Sequence, residues 1–290
     1  MKCKRRQFLR ALGMLAGASV LPWGAFAQPT IKIGLITGLE TIFGENTRNG
    51  AQIAIDEINA AGGLLQRRVE LVIGDIKTEL DGVLARSTFQ DIASRTDAVV
   101  GFFRSEAVLA ILPDIPRLKK PLLITGATSL ATDRVVNDYE NYKYAFRSVI
   151  INTYSLVVDT LRFAGDFVYT AVQNGALRNR RVVMVNEDLT SGNLFMSLIG
   201  PRLGELGFEV VNQFRIAVGT RDLSPIITQI AGTGAQTVFT FFADPGLGTA
   251  FPAAWAANNM ERRAVLYGIN APLQADTVVQ GLRGAATGHF

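Results

Sequence analysis

From Ile31 onward, short runs rich in β-branched and aromatic residues alternate with segments of helical period, and this alternation constrains the chain more than any other feature. Strands that alternate with helices pair in parallel, because a parallel connection needs a crossover of a dozen or more residues, which a helix supplies. Strands are predicted over residues 31–36, 69–73, 98–101, 122–125, 181–185, 209–214, 237–241 and 264–267. A helix is predicted over 46–60, ended by Gly62-Gly63, because glycine takes the left-handed backbone of a helix stop at little cost. A stretch over 132–143, rich in Asn, Asp and Tyr, separates two groups of βα units and precedes Tyr144-Ala145-Phe146-Arg147. The fold class read from this pattern is α/β, with a first lobe over 28–143 and a second over 144–290. At 290 residues, 48% of them apolar, the chain is long enough for two modest cores. Two such lobes enclose a cleft. In open parallel sheets ligands bind beyond the carboxyl ends of the strands, where helix N-termini present free N–H groups.

The net charge of +4 is local rather than global. Residues 1–27 hold Lys2, Lys4, Arg5, Arg6 and Arg10 and no acid; removing those five from 29 leaves 24 basic against 25 acidic side chains. The remainder shows no basic stripe interleaved with aromatics, so nucleic acid is not expected as a partner. The first segment reads instead as an address: a basic start, an apolar stretch over 11–21 and Ala25-Phe26-Ala27 at the expected cleavage site. Its Lys4-Arg5-Arg6-Gln7-Phe8-Leu9-Arg10 is similar to a twin-arginine export signal, so residues 1–27 are expected to be removed and the protein to work in the periplasm. The apolar stretch is short for a membrane span, and nothing later approaches one, so a soluble protein is expected.

Enzyme chemistry lacks parts. The one cysteine, Cys3, lies in the leader and the one histidine is His289, so neither a hydrolytic triad nor a His/Cys metal site can be assembled in the mature chain. No HExxH, GxSxG or P-loop pattern occurs. No catalytic residue, metal or cofactor is expected.

The most specific run of residues is Ile33-Gly34-Leu35-Ile36-Thr37-Gly38, then Phe43-Gly44-Glu45, Asn49-Gly50-Ala51 and Asp56-Glu57-Ile58-Asn59-Ala60-Ala61-Gly62-Gly63. Weaker echoes follow in Val100-Gly101, over 121–129 and in Val185-Asn186-Glu187-Asp188. From Ile31 to its last residue the chain resembles the type I periplasmic binding proteins, and within them the leucine/isoleucine/valine-binding receptors of ABC transporters. The resemblance implies two doubly wound parallel-sheet lobes that close on a small ligand by a hinge motion. It also implies a membrane permease and an ATPase as partners. It further implies that the chain stops where relatives cross back to finish the first lobe. An incomplete first lobe with exposed apolar edges is therefore expected.

By the same resemblance, Ser105 and the turn Gly126-Ala127-Thr128 grip the ligand's carboxylate, and Phe43 lines its side-chain end. The residue types suit an anion, because hydroxyls and free N–H groups at a helix start favour negative charge and small residues let it approach the backbone. Each has an ordinary alternative: Ser105 as the cap of its own helix, with Glu106 in an acid-favouring first turn, and Phe43 as a core aromatic. Arg104 either pairs with an anionic ligand or points to solvent. The second lobe departs from the family pattern. Ser191-Gly192 stands where an aromatic clamp is common, and Asn270 stands where amino-acid binders place an acid for the ligand ammonium. Asp244 either supplies that charge or caps a helix before Pro245-Gly246. If it only caps, an amide, urea or aromatic acid fits better than leucine. The function so implied is a transport receptor; a ligand sensor reporting to a signalling partner shares the same fold.

Overall fold

The computed structural model describes residues 29–285 except Ala127 and Ile150. The expected leader over 1–27 with Cys3, Ala127 of the expected turn and His289 thus lie outside the described residues. The rest forms two parallel sheets. The first holds β1 (Ile31–Thr37), β2 (Val69–Asp75), β3 (Ala98–Gly101), β4 (Leu122–Ile124) and β5 (Ala145–Arg147), in the order β2-β1-β3-β4-β5. The second holds β6 (Arg181–Glu187), β7 (Glu209–Ile216), β8 (Thr237–Phe242) and β9 (Val265–Asn270), in the order β7-β6-β8-β9. Every strand pair is parallel.

Each of the eight predicted strands is present, and six run one to three residues further at the carboxyl end. Those added residues include Thr37, Asp75, Glu187 and Asn270. They are polar, so an apolar pattern does not reveal them, yet they stand at the carboxyl ends of the strands, where such sheets open their crevices.

Two differences from the expected organisation lie at the lobe boundary. β5 pairs with β4, Leu122 opposite Ala145 and Ile124 opposite Arg147, which puts residues 145–147 in the first sheet and not beyond a boundary at 143/144. The stretch over 132–143 is helical rather than loose: α4 (Ser129–Asn137) followed by a short helix, Tyr139–Tyr142. Its Asn and Asp residues cluster between the two helices, where Asn141 donates to Asp138, while Val135 and Tyr142 pack on the first core. Composition reported the surface of these helices and hid the two residues that anchor them.

The remaining main helices are α1 (Ile42–Ala60), α2 (Gly82–Ser94), α3 (Ser105–Ile111), α5 (Thr153–Phe163), α6 (Thr190–Glu205), α7 (Ser224–Gly232) and α8 (Pro245–Ala257). α1 starts four residues before the predicted point because Thr41 caps it, its Oγ1 accepting from the Gly44 N–H at 3.0 Å. None of the described helices is long and apolar enough to cross a membrane.

Alternate strand residues feed opposite faces. In the second sheet both faces are covered: Val183, Val185 and Leu266 meet α7 and α8, and Met184, Phe239 and Phe241 meet α5 and α6. In the first, Ile36, Val99, Leu122 and Ile124 pack with Phe89, Phe102 and Ile111 under α2 and α3. The opposite face is covered by α1 over β1 and β2, where Ile55 meets Ile31 and Val69. Over β4 and β5 that face is open, with Leu123 40% and Phe146 56% exposed.

Asp114 ties α2 to the turn after α3. It is 1% exposed, and its carboxylate accepts from Arg86 Nε at 2.7 Å, Arg117 Nη2 at 2.8 Å and Gln90 Nε2 at 3.1 Å. The Arg86 hydrogen bond lowers its pKa from 3.8 to about 2, against burial, which acts upward, and with help from Arg117 and Gln90. A depressed carboxyl pKa contributes stability that is full above the unfolded value and is lost as pH falls through the folded one. Asp114→Asn is therefore expected to lower the thermal midpoint at pH 7 by a few degrees and to flatten the loss of stability between pH 4 and 2. Parallel acid melts of variant and parent would show that Asp114 carries none of this dependence.

Candidate functional site

Strand order reverses between β1 and β3 in the first sheet and between β6 and β8 in the second. At such a reversal adjacent loops leave in opposite directions and open a crevice at the carboxyl end of the strands. A carboxylate is buried at each crevice. Glu79, 2% exposed, accepts from Thr37 Oγ1 at 3.2 Å and the Gly38 N–H at 3.0 Å through Oε1, and from the Arg104 N–H at 2.9 Å through Oε2. It thereby joins the loop after β1 to the loop after β3. Glu187 ends β6; its Oε2 accepts from the N–H groups of Ala243 at 2.9 Å and Asp244 at 2.6 Å, after β8. Its Oε1 is buried with no partner among the described residues. Burial pushes the Glu187 carboxyl above its usual range; the Asp244 N–H, the Arg104 charge and the Ala243 N–H pull it down, and the Asp244 charge adds to the rise.

Between the two crevices lies a cavity of about 460 Å³. On the first-lobe side Phe43 stacks on Phe103, centroids 4.6 Å apart, and both line it. Ser105 and Thr128 line it as well, at the starts of α3 and α4. Arg104, not Ser105, holds the cap position of α3, so Ser105 does not cap its own helix. The Ser105 and Thr128 hydroxyls have no hydrogen-bond partner among the described residues, although both residues are buried. Gly126 does not line the cavity. A Cβ there would stand 2.2 Å from the Phe103 carbonyl oxygen, so its part is to let the loop after β4 cross the loop after β3.

From the second lobe come Phe241 and Ile269, with Ser191 in the first turn of α6 and Asn270 at the end of β9. Asn270 Nδ2 donates to the Gly248 carbonyl at 2.8 Å, while its Oδ1 is buried without a partner among the described residues. The linking segment contributes Val149 and Ile151. Asp244 stands behind this lining. It caps α8, Oδ1 accepting from the Leu247 N–H at 2.9 Å, and its Oδ2 lies 3.5 Å from Arg104 Nη2. Arg104 is not turned to solvent: it is 6% exposed, lines the cavity, and its guanidinium makes that one long ion pair and no hydrogen bond among the described residues.

The lobes meet at two further points. Glu106 Oε1 accepts from the Thr190 N–H at 2.7 Å, so a first-lobe acid caps α6, which has no side-chain cap of its own. Tyr154 Oη donates to Asp133 Oδ2 at 2.9 Å.

The arrangement offers groups suited to holding an anion. Apolar walls enclose free hydroxyls at two helix starts and one cation, and no Asp or Glu is among the described residues that line the cavity. Of the expected site residues, Phe43, Ser105, Thr128, Ser191 and Asn270 come together there; Gly126 and Asp244 stand behind. Glu79 and Glu187 escaped sequence reasoning. Their signal is positional: an acid at or just past the carboxyl end of a strand beside a reversal of strand order.

The model of the periplasmic binding protein family matches residues 30–290. An amino acid binding protein of Pseudomonas aeruginosa is 25% identical over 239 residues, covering 81% of this chain and 60% of the relative. A Leu/Ile/Val-binding protein homolog of Brucella melitensis is 23% identical, covering 82% and 62%. The chain therefore spans about three fifths of the length of these relatives. Among solved structures, a solute binding protein of an ABC transporter from Rhodopseudomonas palustris in complex with p-hydroxybenzoic acid has a TM-score of 0.71 at 20% identity, covering 89% of this chain and 66% of that one. The branched-chain amino acid transporter substrate binding protein of Streptococcus pneumoniae in complex with isoleucine has a TM-score of 0.63 at 23% identity, covering 83% and 64%. At those identities the likeness shows the fold, two parallel α/β sheets of the type I periplasmic binding arrangement. With a family model matched along nearly the whole described chain, this protein belongs to the periplasmic binding protein family.

Proposed function

We propose that the chain is the ligand-binding part of an extracytoplasmic receptor of an ABC importer, and that its ligand is a small apolar carboxylate without an ammonium group. One observation carries this: the cavity between the lobes has apolar walls and free hydroxyls at two helix starts, and Arg104 is the charged residue among its described lining. A carboxylate would take the Ser105 and Thr128 hydroxyls and the guanidinium, since helix N-termini and arginine both favour an anion. The ring or chain of the ligand would lie against Phe43, Phe103 and Phe241. An ammonium group would meet Asn270, which brings no charge. Solute binding proteins of the same fold in complex with hydroxybenzoates support the reading, and the cavity has room for a benzoate-sized ligand or a branched acid. No bond is made or broken. Residues 1–27 would export the chain by the twin-arginine route, and a permease and an ATPase would receive the loaded form.

A thermal-shift screen tests this, because a ligand that binds only the folded state raises the melting temperature. Benzoate and 4-hydroxybenzoate are expected to raise the midpoint, and isoleucine to raise it less; the reverse order would overturn the reading. Ser105→Ala and Thr128→Ala are each expected to weaken benzoate binding by about 1–3 kcal/mol, the worth of a hydrogen bond to a charged group. Unchanged affinity in both would remove the hydroxyls from the site. Glu106→Gln, away from the cavity wall, is expected to weaken every ligand alike by several-fold, since it loosens only the contact between lobes; an unchanged affinity would show that this cap does not bear on closure.

A further inference from the structure

Arg104 and Asp244 belong to different lobes, and among the described residues neither has an ion-pair partner within its own. Arg104 follows β3 and Asp244 follows β8; their side chains are 5% and 13% exposed, and Nη2 and Oδ2 stand 3.5 Å apart. A buried charge left alone is far costlier than an exposed one, so each residue depends on the other. The contact leaves much unspent. The guanidinium has five donors and makes no hydrogen bond among the described residues, although it forms part of the cavity wall. Asp244 has one oxygen committed to the Leu247 N–H and the other to the ion pair. Both residues are fixed through their main chains: the Arg104 N–H by Glu79 and the Asp244 N–H by Glu187.

We propose that the Arg104–Asp244 pair determines specificity, Arg104 occupying the Asp244 charge so that a ligand ammonium finds no counter-charge, while the same guanidinium offers its free donors to a ligand carboxylate. The inference rests on the amine-free carboxylate reading above and names the residues that enforce it. Glu79 and Glu187 are positioning residues that hold the backbones of Arg104 and Asp244. Removing the guanidinium uncovers Asp244 and turns an anion site into one for a zwitterion. Neutralising Asp244 releases the guanidinium to the anion.

Calorimetric titration of the full chain with benzoate and with isoleucine tests this on the parent, Arg104→Gln, Asp244→Asn and the double variant. The parent's preference between the two probes tests the underlying reading; the variants test the pair, whichever way the parent falls. Arg104→Gln is expected to lose benzoate at least tenfold and to gain isoleucine at least tenfold, and the double variant to lose that gain. A folded Arg104→Gln protein that binds isoleucine no better than the parent overturns the proposal, as does a gain that survives in the double variant. Should Arg104→Gln fail to fold, Asp244→Asn decides: benzoate binding several-fold tighter supports the pair, and binding unchanged or weaker overturns it.

Discussion

Two carboxylates removed from water, Glu79 and Glu187, hold the loops at the mouths of the two sheets, and the geometry of the cleft descends from them. Burying a carboxylate costs several kcal/mol, offset only when strong hydrogen bonds replace its water. Glu79 obtains three, from Thr37, Gly38 and Arg104, and Glu187 two, from Ala243 and Asp244. The exchange works in both directions, because the main-chain N–H groups they accept from would otherwise be orphaned at loop ends. Each acid spans the crevice where strand order reverses, so it fastens together two loops that the topology sends apart. Part of the cavity wall adjoins the atoms so fastened: Phe103 and Ser105 flank Arg104, and Ala243 is itself held.

The two halves of the site differ in what restrains that acid. Glu79 has both oxygens engaged, and the loops it joins are fixed on both sides. Glu187 keeps one oxygen without a partner and is pushed toward its neutral form by burial and by the Asp244 charge. The Arg104 charge pulls the same carboxyl down. The ion pair across the lobes and the raised Glu187 carboxyl are thus one electrostatic arrangement.

Much of the fold was legible because β-rich runs and helical periods survive in the sequence wherever a core must be built. Legibility failed where burial and apolarity part company. The strand ends at Glu187 and Asn270 are polar, and three residues of β5, Ala-Phe-Arg, carry no period at all. Asn- and Asp-rich composition made 132–143 look loose although Val135 and Tyr142 anchor it. At the site, Phe43, Ser105, Thr128, Ser191 and Asn270 were legible through likeness to a family, Ser105 also as a hydroxyl at a helix start. Arg104 was left between a ligand and solvent, because what keeps an arginine from solvent here is Asp244, supplied by a distant loop that only the folded chain brings near. Gly126 was recognised as a residue that needs to be small, but the group that approaches it is the Phe103 carbonyl.

The contacts that join the lobes bear on how a ligand would be felt. The Glu106–Thr190 hydrogen bond, the Tyr154–Asp133 hydrogen bond and the Arg104–Asp244 pair all involve groups that water satisfies when the lobes part. A hydrogen bond exchanged for water contributes only about 0.5–1.5 kcal/mol net, so such contacts orient the lobes without committing them. A molecule touching Phe43 and Ser105 on one side and Phe241 and Asn270 on the other adds interactions that exist only when both walls are near. By linkage, it shifts the population of lobe arrangements by its difference in affinity between them. Polar contacts of low net worth between the lobes, with an apolar cavity behind them, thus leave the balance of arrangements to whatever bridges the walls. Arg104 sits in both sets of contacts, through Asp244 and through the cavity wall, so under the proposed function one side chain would join the charge of a ligand to the contact between the lobes.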